Sequence, residues 1–377
     1  MFCSIIMPAY NAEATVKRAI KSVVSQDIDK DDYEFILSDD GSEDNTIKVL
    51  EDMNPNINWS IIHKPDGVPN GPGNARQRGL TAAKGDYVLF LDSDDLLYED
   101  CLGTVKNTIL EAIKENPIKY FIFSFDEWDM NSEKSVKNYF QDMTWVHGKV
   151  YDRKYLMDNA IAFKEDLFTH EDVYFNTSLG AKLFQDHINI YVDKTPIYKW
   201  ILKPNSITRQ LYDGHIYIEK YLEDYLISTI EPHLNIISQT DEELLDKDVR
   251  NFCLRQSILG LLHAYFYMQS FIYTQNLQGM IQDNIIVFKK YLDKICDQLK
   301  ITPQEIVQNV YNAPDIYMQV KANCFNGCYH FVELITFNEF ILKFIPENAN
   351  FLLNKDKESV LNENTDNVIP FENDNEE

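Results

Sequence analysis

The sequence predicts a chain in two parts, an α/β domain built on a largely parallel sheet and a following all-α region. In the first half, short apolar runs that suit buried strands alternate with segments whose apolar residues recur at helical spacing. Beyond residue 214 only the helical pattern continues, and ten of the 13 glycines lie at or before that residue. We therefore expect an α/β domain over residues 1–213, a helical domain over 214–350, and an acidic, disordered tail over 351–377.

The predicted sheet begins with four strands that are recognised as short apolar runs, namely Cys3–Met7, Tyr33–Leu37, Trp59–Ile62 and Tyr87–Leu91. Helical patterns separate them, and Asn11 is the expected N-cap of the first helix. Strands that alternate with helices in this way indicate a mostly parallel sheet with helices on both faces. Ligands bind such sheets at the carboxyl ends of the strands, so the polar turns there are the first candidates for a site.

The region after residue 214 is predicted to be a set of packed helices. Thr302 and Glu305 flank Pro303 in the pattern of a capping box, which marks a helix start. Aromatic residues are frequent here; a helical core is the simplest explanation, with a dimer interface or an acceptor-binding surface as alternatives. The helical patterns cover His215–Ile230, Asp241–Tyr273, Met280–Leu299, a segment from Thr302, and Phe331–Phe344.

The composition is that of an acidic globular protein. Of 377 residues, 45% are hydrophobic and 25% are charged, and the formal net charge of −25 disfavours a globally basic nucleic-acid binder. Six cysteines are too few for a disulfide scaffold, so we expect free thiols. We recognise neither a secretory leader nor an apolar stretch of the roughly 20 residues that a span requires. We therefore expect a cytoplasmic protein without a transmembrane segment.

Two acidic turns follow predicted strands. Asp92, Asp94 and Asp95 come directly after the fourth strand, and carboxylates this close repel one another unless a cation or hydrogen-bond donors neutralise them. Asp39 and Asp40 follow the second strand and precede a glycine that permits a tight turn. Such oxygen ligands suit Mg²⁺ or Mn²⁺ bound to a diphosphate, whereas the alternative for each turn is an ordinary helix cap at the surface.

Residues 71–79 place glycines near a predicted helix start, yet neither common nucleotide-binding motif is present. Arg76 stands where a dinucleotide-binding fingerprint needs its third glycine, and the Lys-Ser/Thr pair of a P-loop is missing. What remains is the N-terminal part of a helix with Arg76 and Arg78, whose guanidinium groups suit a phosphate group.

Three blocks in this order and spacing resemble the nucleotide-sugar-binding half of glycosyltransferase family 2, which has the GT-A fold. They are SIIMPAYN (4–11), SDDGSEDNT (38–46) and GNARQRGLTAAKGDYVLFLDSDD (73–95). Gln77 departs from the family, which commonly has asparagine there. The resemblance covers about residues 1–213, because it continues more loosely through 145–156, 169–176 and 198–209.

The resemblance implies a nucleotide-binding role for several matching positions. Pro8 and Tyr10 would border the nucleobase of the donor. Asp40 would hydrogen-bond the nucleobase, and Asp39 would support the turn. Arg76 would lie near the nucleotide.

The resemblance also implies how the sugar and the diphosphate are held. Asp92 would contact the ribose or the donor sugar. Asp94 would ligate the Mn²⁺ or Mg²⁺ that bridges the diphosphate, with help from Asp95. His215 is a further candidate metal ligand, and Arg209 is a candidate contact to the diphosphate; an ordinary surface position is the alternative for each.

Glu171 and Asp172 match the acidic pair of the family. An inverting transfer needs one carboxylate to take the proton of the acceptor hydroxyl as its oxygen attacks the anomeric carbon. The resemblance implies that Asp172 is this base and that Glu171 orients the acceptor or the base. Without the resemblance, such a pair is most simply a solvated helix face.

The expected protein is a metal-dependent inverting glycosyltransferase that moves a sugar from a nucleoside diphosphate sugar, with UDP-sugars first among the donors, to a hydroxyl group. The acceptor stays open between a surface or wall polysaccharide and a hydroxymethylated base in phage DNA. The helical region would shape the acceptor side or form a homo-oligomer. One alternative is a non-catalytic sugar-nucleotide-binding or assembly module. Another is a nucleotidyltransferase, which would need a glycine- and lysine-containing loop near its first strand.

Overall fold

The computed structural model describes residues 1–67, 71–167, 169–202, 221–275 and 278–312, together with residue 341. Its strands are β1 (Cys3–Ala9), β2 (Tyr33–Asp39), β3 (Asn58–His63), β4 (Tyr87–Phe90), β5 (Leu96–Leu97), β6 (Tyr120–Asp129), β7 (Lys134–Tyr139), β8 (Lys149–Asp152) and β9 (Tyr191–Ile201). Its helices are α1 (Glu13–Val24), α2 (Thr46–Met53), α3 (Pro72–Ala82), α4 (Cys101–Ala112), α5 (Arg153–Asp158), α6 (Glu171–Gln185), α7 (Tyr221–Gln239), α8 (Lys247–Gln275), α9 (Gln278–Leu299) and α10 (Pro303–Asn312). The predicted order, α/β first and helical afterwards, is confirmed.

The strands form one mixed sheet in the order β3-β2-β1-β4-β8-β6-β9-β5, and β7 pairs with β6 outside this path. The first four strands of that order are parallel, with Ala9 beside Asp39 at the carboxyl ends of β1 and β2. Strand β8 runs antiparallel to both β4 and β6, and β9 is parallel to β6. The polar turns after β1, β2 and β4 therefore meet along one edge of the sheet.

Apolar side chains on both faces of the sheet are buried, as expected of central strands that read as continuous apolar runs. On one face, Ile5, Leu89 and Phe121 belong to a core that α1 and α4 cover. On the other face, Ile6 and Phe90 belong to a second core with residues of α3, α5 and α6. The sheet thus fixes the helices that carry the candidate site residues.

Asn11 is not the N-cap of α1, so this prediction is wrong. The helix begins at Glu13 after Ala12, and Asn11 has a left-handed backbone with φ of 47°. Its side-chain oxygen instead accepts a hydrogen bond from the Glu43 amide (2.9 Å). The Ala12 amide at the helix start donates to Thr46 Oγ1 (2.7 Å). Hydrogen bonds therefore connect the turn after β1 with the turn after β2 and hold the carboxyl ends of these two strands together.

Helices α7 to α10 share a hydrophobic core of their own, which includes Leu226, Leu262, Leu292 and Ile306. Ala181 of α6 also lies in this core, so the helical region packs against the helix that carries the acidic pair. None of the helices in the described part of the chain combines the length and apolar character that crossing a bilayer requires. The predicted boundary between residues 213 and 214 lies outside the described residues.

The capping box at the start of α10 forms as predicted. The Thr302 amide donates to Glu305 Oε2 (2.7 Å), and the Glu305 amide donates to Thr302 Oγ1 (3.2 Å). Two amides that lack partners within the helix are thereby satisfied.

Candidate active site

Hydrogen bonds from β9 hold the acidic turn after β4 in place. Asp95 is almost completely buried, and its carboxylate accepts hydrogen bonds from the Tyr198 hydroxyl (2.6 Å) and the Ile201 amide (2.8 Å). Burial, together with the nearby charges of Asp94 and Asp92, raises the pKa of Asp95 well above its ordinary value. Asp94 is partly exposed, and its carbonyl oxygen accepts a hydrogen bond from Arg18 (2.8 Å). Negative charge is thus concentrated in a turn whose geometry is fixed.

Arg76 connects this turn to the predicted acidic pair. Its guanidinium group donates to Asp92 Oδ1 (2.7 Å) and to Glu171 Oε1 (2.9 Å), and only 5% of its side chain is exposed. Burial opposes the charge on Arg76, but the two carboxylates more than offset it and raise the pKa of the guanidinium group. Residues that lie 16 and 95 positions from Arg76 in sequence therefore meet at one buried cation.

His147, which was not among the predicted site residues, lies on the other side of Asp92. Its Nε2 is 3.3 Å from Asp92 Oδ2 and 4.0 Å from Asp95 Oδ2. The ring stacks on Tyr198, with 4.7 Å between ring centroids. Burial favours the protonated form of Asp92, whereas Arg76 and then His147 lower its pKa, which lies below the usual range. Asp92 is therefore an ionised carboxylate that two partners hold in place.

Asp172 lies in the first turn of α6, one residue after Glu171. Its Oδ1 accepts a hydrogen bond from the Val173 amide (3.0 Å). Burial, followed by the charge of Glu171, raises the pKa of Asp172 to about 8, although Arg76 opposes the shift. A carboxyl group with such a pKa is able to accept and release a proton near neutral pH.

The start of α6 is anchored to the helical region. His170, the residue before the helix, has a left-handed backbone with φ of 62°, and its carbonyl oxygen accepts a hydrogen bond from Ser228 of α7 (2.9 Å). The His170 ring packs against Tyr221 and Tyr225, and its burial lowers the pKa to about 4. The position of the acidic pair thus depends on α7 as well as on the sheet.

The second acidic turn is a compact loop that follows β2. Asp39 accepts hydrogen bonds from the amides of Gly41 (3.0 Å) and Ser42 (3.2 Å), as expected of a carboxylate that supports a turn. Asp40 is buried, with Oδ1 2.7 Å from the Arg78 guanidinium group and Oδ2 accepting from the Gly71 amide (2.6 Å). Gly41 itself has φ of 91°, a conformation that side chains rarely adopt.

The remaining predicted contacts to the nucleotide lie on β1 or outside the described residues. Pro8 is buried in β1 beside Ser38, and Tyr10 is 56% exposed just beyond the strand end. Arg209 and His215 lie outside the described residues. The roles predicted for these positions, and for the acidic residues, stay predictions.

Three groups at the β4 turn are arranged as divalent-metal ligands commonly are. Asp92, Asp95 and His147 each offer one ligand atom, and these atoms all lie within 4.8 Å of one another. Carboxylate oxygen and imidazole nitrogen are both ligands that Mn²⁺ accepts. Burial first, and then the charges of Asp94 and Asp92, raise the pKa of Asp95, and a cation beside it would favour its ionised form. The chemistry of the donor set therefore fits the metal that the sequence predicts, and it adds His147 as a candidate ligand.

His147 was missed because its role depends on tertiary packing. The sequence places it before a glycine and a strand, in the block over residues 145–156 that resembles the family. That position indicates that His147 lies in a segment shared with the family. Its contact with Asp92, however, depends on the pairing of β8 with β4, which the sequence does not show.

Comparisons with known proteins agree with this fold. The family described as Glycosyl transferase family 2 matches residues 4–169. The poly(ribitol-phosphate) beta-N-acetylglucosaminyltransferase TarS of Staphylococcus aureus is 27% identical over 206 residues, which cover 52% of this chain and 35% of TarS. The GalNAc(5)-diNAcBac-PP-undecaprenol beta-1,3-glucosyltransferase of Campylobacter jejuni is 28% identical over 243 residues, which cover 59% of this chain and 74% of that protein.

The crystal structure of S. aureus TarS 1–349 in complex with UDP-GlcNAc has the same fold, with a TM-score of 0.60 at 20% identity. The match covers 88% of this chain and 94% of that chain. The α/β part of the chain is therefore a GT-A domain, as the sequence predicts. Over residues 4–169 the chain is thus similar to glycosyltransferase family 2. It spans about a third of the length of the TarS relative, namely 35%.

Proposed function

We propose that the protein is a metal-dependent inverting glycosyltransferase that transfers a sugar from a UDP-sugar to a hydroxyl group of a surface or wall polysaccharide. The observation that carries the proposal is the ion-pair bridge made by Arg76. It joins Asp92, in the acidic turn after β4 that we call the donor turn, to Glu171 of the acidic pair. Such a bridge sets the distance between the groups that would hold the donor and the groups that would act on the acceptor. Positioning of this kind is a main source of rate enhancement in group transfer.

The relatives support a β-linked product, and the UDP-GlcNAc complex of TarS supports a UDP-sugar as the donor. The TarS and Campylobacter proteins are named as transferases that form β-linkages on a poly(ribitol-phosphate) and on an undecaprenol-linked glycan. The sugars of the common UDP-sugar donors are α-linked, so a β-linked product requires inversion. An inverting transfer needs a single protein base, and the acidic pair supplies one candidate.

In the proposed reaction, Asp172 in its ionised form takes the proton of the acceptor hydroxyl. The hydroxyl oxygen forms a bond to the anomeric carbon while the bond from that carbon to the diphosphate oxygen breaks, and its electron pair leaves with UDP. Arg76 holds Glu171, the neighbour of Asp172 in sequence, close to Asp92. A divalent ion at the β4 turn would neutralise the charge of the diphosphate; Asp94, Asp95 and His215 are its predicted ligands, and His147 is a further candidate.

The site is built for polar contacts to a nucleotide at the neighbouring strand ends. Asp40 and Tyr10 lie beyond β2 and β1, where a nucleobase would be bordered by Pro8. We place the reaction on the cytoplasmic side of the membrane, and a homo-oligomer formed through the helical region belongs to the same proposal.

Calorimetric titration tests the donor half of the proposal. UDP, GDP, CDP and dTDP are titrated into the full chain, each with Mn²⁺ and again with EDTA. We expect UDP to bind tightest and only with metal, and we expect Asp94→Ala to remove the metal-dependent part. If none of the four nucleotides binds, the alternative of a non-catalytic module becomes the better reading of the fold.

Turnover of UDP-GlcNAc and UDP-glucose, followed by the release of UDP, tests the enzymatic half. We expect slow hydrolysis of one donor without an acceptor and faster release with one. Binding of UDP without turnover of any UDP-sugar would contradict the proposed activity while leaving the donor site intact.

A further inference from the structure

Two partly buried tryptophans, Trp145 and Trp200, lie side by side next to the candidate active site, and we name them the tryptophan pair. Their ring centroids are 5.5 Å apart, and the ring planes are tilted by 38°. Tyr139 packs edge-on against both, at 5.6 Å from Trp145 and 6.1 Å from Trp200. The three rings come from β7, from the segment before β8 and from β9, so tertiary structure alone brings them together.

The tryptophan pair is connected to both halves of the active site. His147, which contacts Asp92, has its ring centroid 6.0 Å from that of Trp200 and 6.3 Å from that of Trp145. On the other side, Asn176 of α6 donates a hydrogen bond to the carbonyl oxygen of Trp145 (3.1 Å). Helix α6 also carries the acidic pair, so the tryptophan pair lies between the donor turn and the helix of the candidate base.

The tryptophan pair is held rigidly in this position. The Trp145 amide donates to Asp142 Oδ1 (3.0 Å), and the same oxygen is 3.4 Å from the ammonium group of Lys149. Lys149 is completely buried, and its ammonium group also donates to the carbonyl oxygen of His147 (3.0 Å). Burial lowers the pKa of Lys149, although Asp142 opposes the shift. These contacts, together with the packing of the rings on one another and on the core, hold the partly buried Trp145 in place before any ligand arrives, which reduces the entropy lost on binding.

We propose that the tryptophan pair is the binding site for a pyranose ring of the acceptor, so that the acceptor is a ring-containing glycan and not an open-chain polyol phosphate. The C–H faces of a pyranose pack on aromatic rings, and an indole ring gives a large apolar contact at a small cost in entropy. An open-chain polyol offers no flat apolar face of this kind. The inference rests on the proposed function, because it names the acceptor class of that site.

The test measures acceptor binding to the full chain in the presence of UDP and Mn²⁺. The pyranose probes are β-1,3- and β-1,4-linked glucose oligosaccharides and a β-1,4-linked N-acetylglucosamine oligosaccharide. The open-chain probe is a ribitol-phosphate oligomer. Affinity is measured by calorimetry and by the change in tryptophan fluorescence on titration. The variants are Trp145→Ala, Trp200→Ala and Trp145→Phe.

Trp128→Ala is the matched control. Trp128 lies in β6 beside Ile201, one residue further along β9 than Trp200, so its side chain points to the opposite face of the sheet. There the Lys199 ammonium group lies 4.0 Å from the ring centroid of Trp128. The control therefore removes an indole ring from the same sheet without touching the tryptophan pair. Circular dichroism melting curves identify any variant that does not fold.

We expect at least one pyranose probe to bind, and we expect Trp145→Ala and Trp200→Ala to weaken its binding about 10-fold. Trp145→Phe keeps an aromatic face and restores most of the affinity, Trp128→Ala binds like the wild type, and all variants bind UDP with wild-type affinity. The inference is overturned if only the ribitol-phosphate oligomer binds, if no probe binds, or if both Trp→Ala variants bind pyranose probes as the wild type does. Because UDP binding is measured in the same samples, its absence reports failure of the proposed function, and its presence isolates the inference.

Discussion

The raised pKa of Asp172 gives a quantitative prediction for the pH dependence of transfer. With a pKa of about 8, roughly one-tenth of the Asp172 carboxyl groups are ionised at pH 7 and roughly nine-tenths at pH 9. Only the ionised form accepts the proton of the hydroxyl group, so kcat/KM should rise about 10-fold between these values. An ordinary aspartate would be fully ionised throughout this range, and the profile would then be flat. The assay is release of UDP at limiting donor concentration, where kcat/KM reports the free enzyme.

The Asp172→Asn variant distinguishes the proposed role of Asp172 in catalysis from its effect on stability. A general base contributes roughly 10²- to 10⁴-fold, so the variant should lose activity by about that factor while still binding UDP. The unfolded chain releases this proton near the ordinary pKa of 3.8, whereas the folded protein keeps it up to a pKa of about 8, so the free energy of unfolding falls progressively from about pH 4 to pH 8. Asp172→Asn should therefore melt at a higher temperature than the wild type above pH 8, and the difference should disappear near pH 4. A flat wild-type profile, or wild-type transfer by the variant, would refute the assignment of the base.

Four further substitutions, one of them a control, test the ion pairs, the helix packing and the capping box, each by denaturant unfolding. Arg76→Met removes the buried cation between two partly buried carboxylates and should lower the free energy of unfolding by about 3 kcal/mol, whereas unchanged stability would show that the bridge is not formed. Gly79→Ala would put a Cβ atom 2.3 Å from Ile6 Cγ2 and should cost about 1–3 kcal/mol. Gly180→Ala is its control: no atom lies within 4 Å of the added Cβ, and the helix should gain about 0.5–1 kcal/mol. Thr302→Ala removes one side of the capping box and should cost about 1 kcal/mol, with no effect on UDP binding.

The parallel half of the fold was predictable because its signals are local. The four apolar runs became β1 to β4 with ends shifted by at most two residues, and α3 begins at Pro72, close to the expected start. The rest of the sheet was not predicted as strands. Strand β7 is exposed almost throughout and lacks an apolar pattern, so its pairing with β6 decides its conformation. Such strands are specified by their neighbours and not by their own sequence.

The candidate site was predictable in its residue types but not in its pairings. Strand ends identified the acidic turns, because every parallel strand points its carboxyl end to the same edge. The sequence did not indicate that Arg78 would pair with Asp40, nor that Arg76 would join Asp92 to Glu171. These contacts depend on the depth at which α3 lies against the sheet. Gly79 allows α3 to approach Ile6 of β1 closely, because a side chain there would collide with Ile6. The sequence shows the glycine but does not show which residue it packs against.

The electrostatics of the site connect its stability to its proposed chemistry. Asp92 has two cationic or hydrogen-bonding partners and remains ionised, whereas Asp95 and Asp172 have raised pKa values because burial and neighbouring carboxylates oppose their charge. Burial and the neighbouring carboxylates therefore oppose ionisation of Asp95 and Asp172 in the folded chain. A divalent ion at the β4 turn would lower the negative potential there and would bring Asp172 closer to the ionised state that a base needs. On this argument the metal that would bind the diphosphate would also favour the ionised form of Asp172, so donor binding and proton abstraction would be coupled through charge.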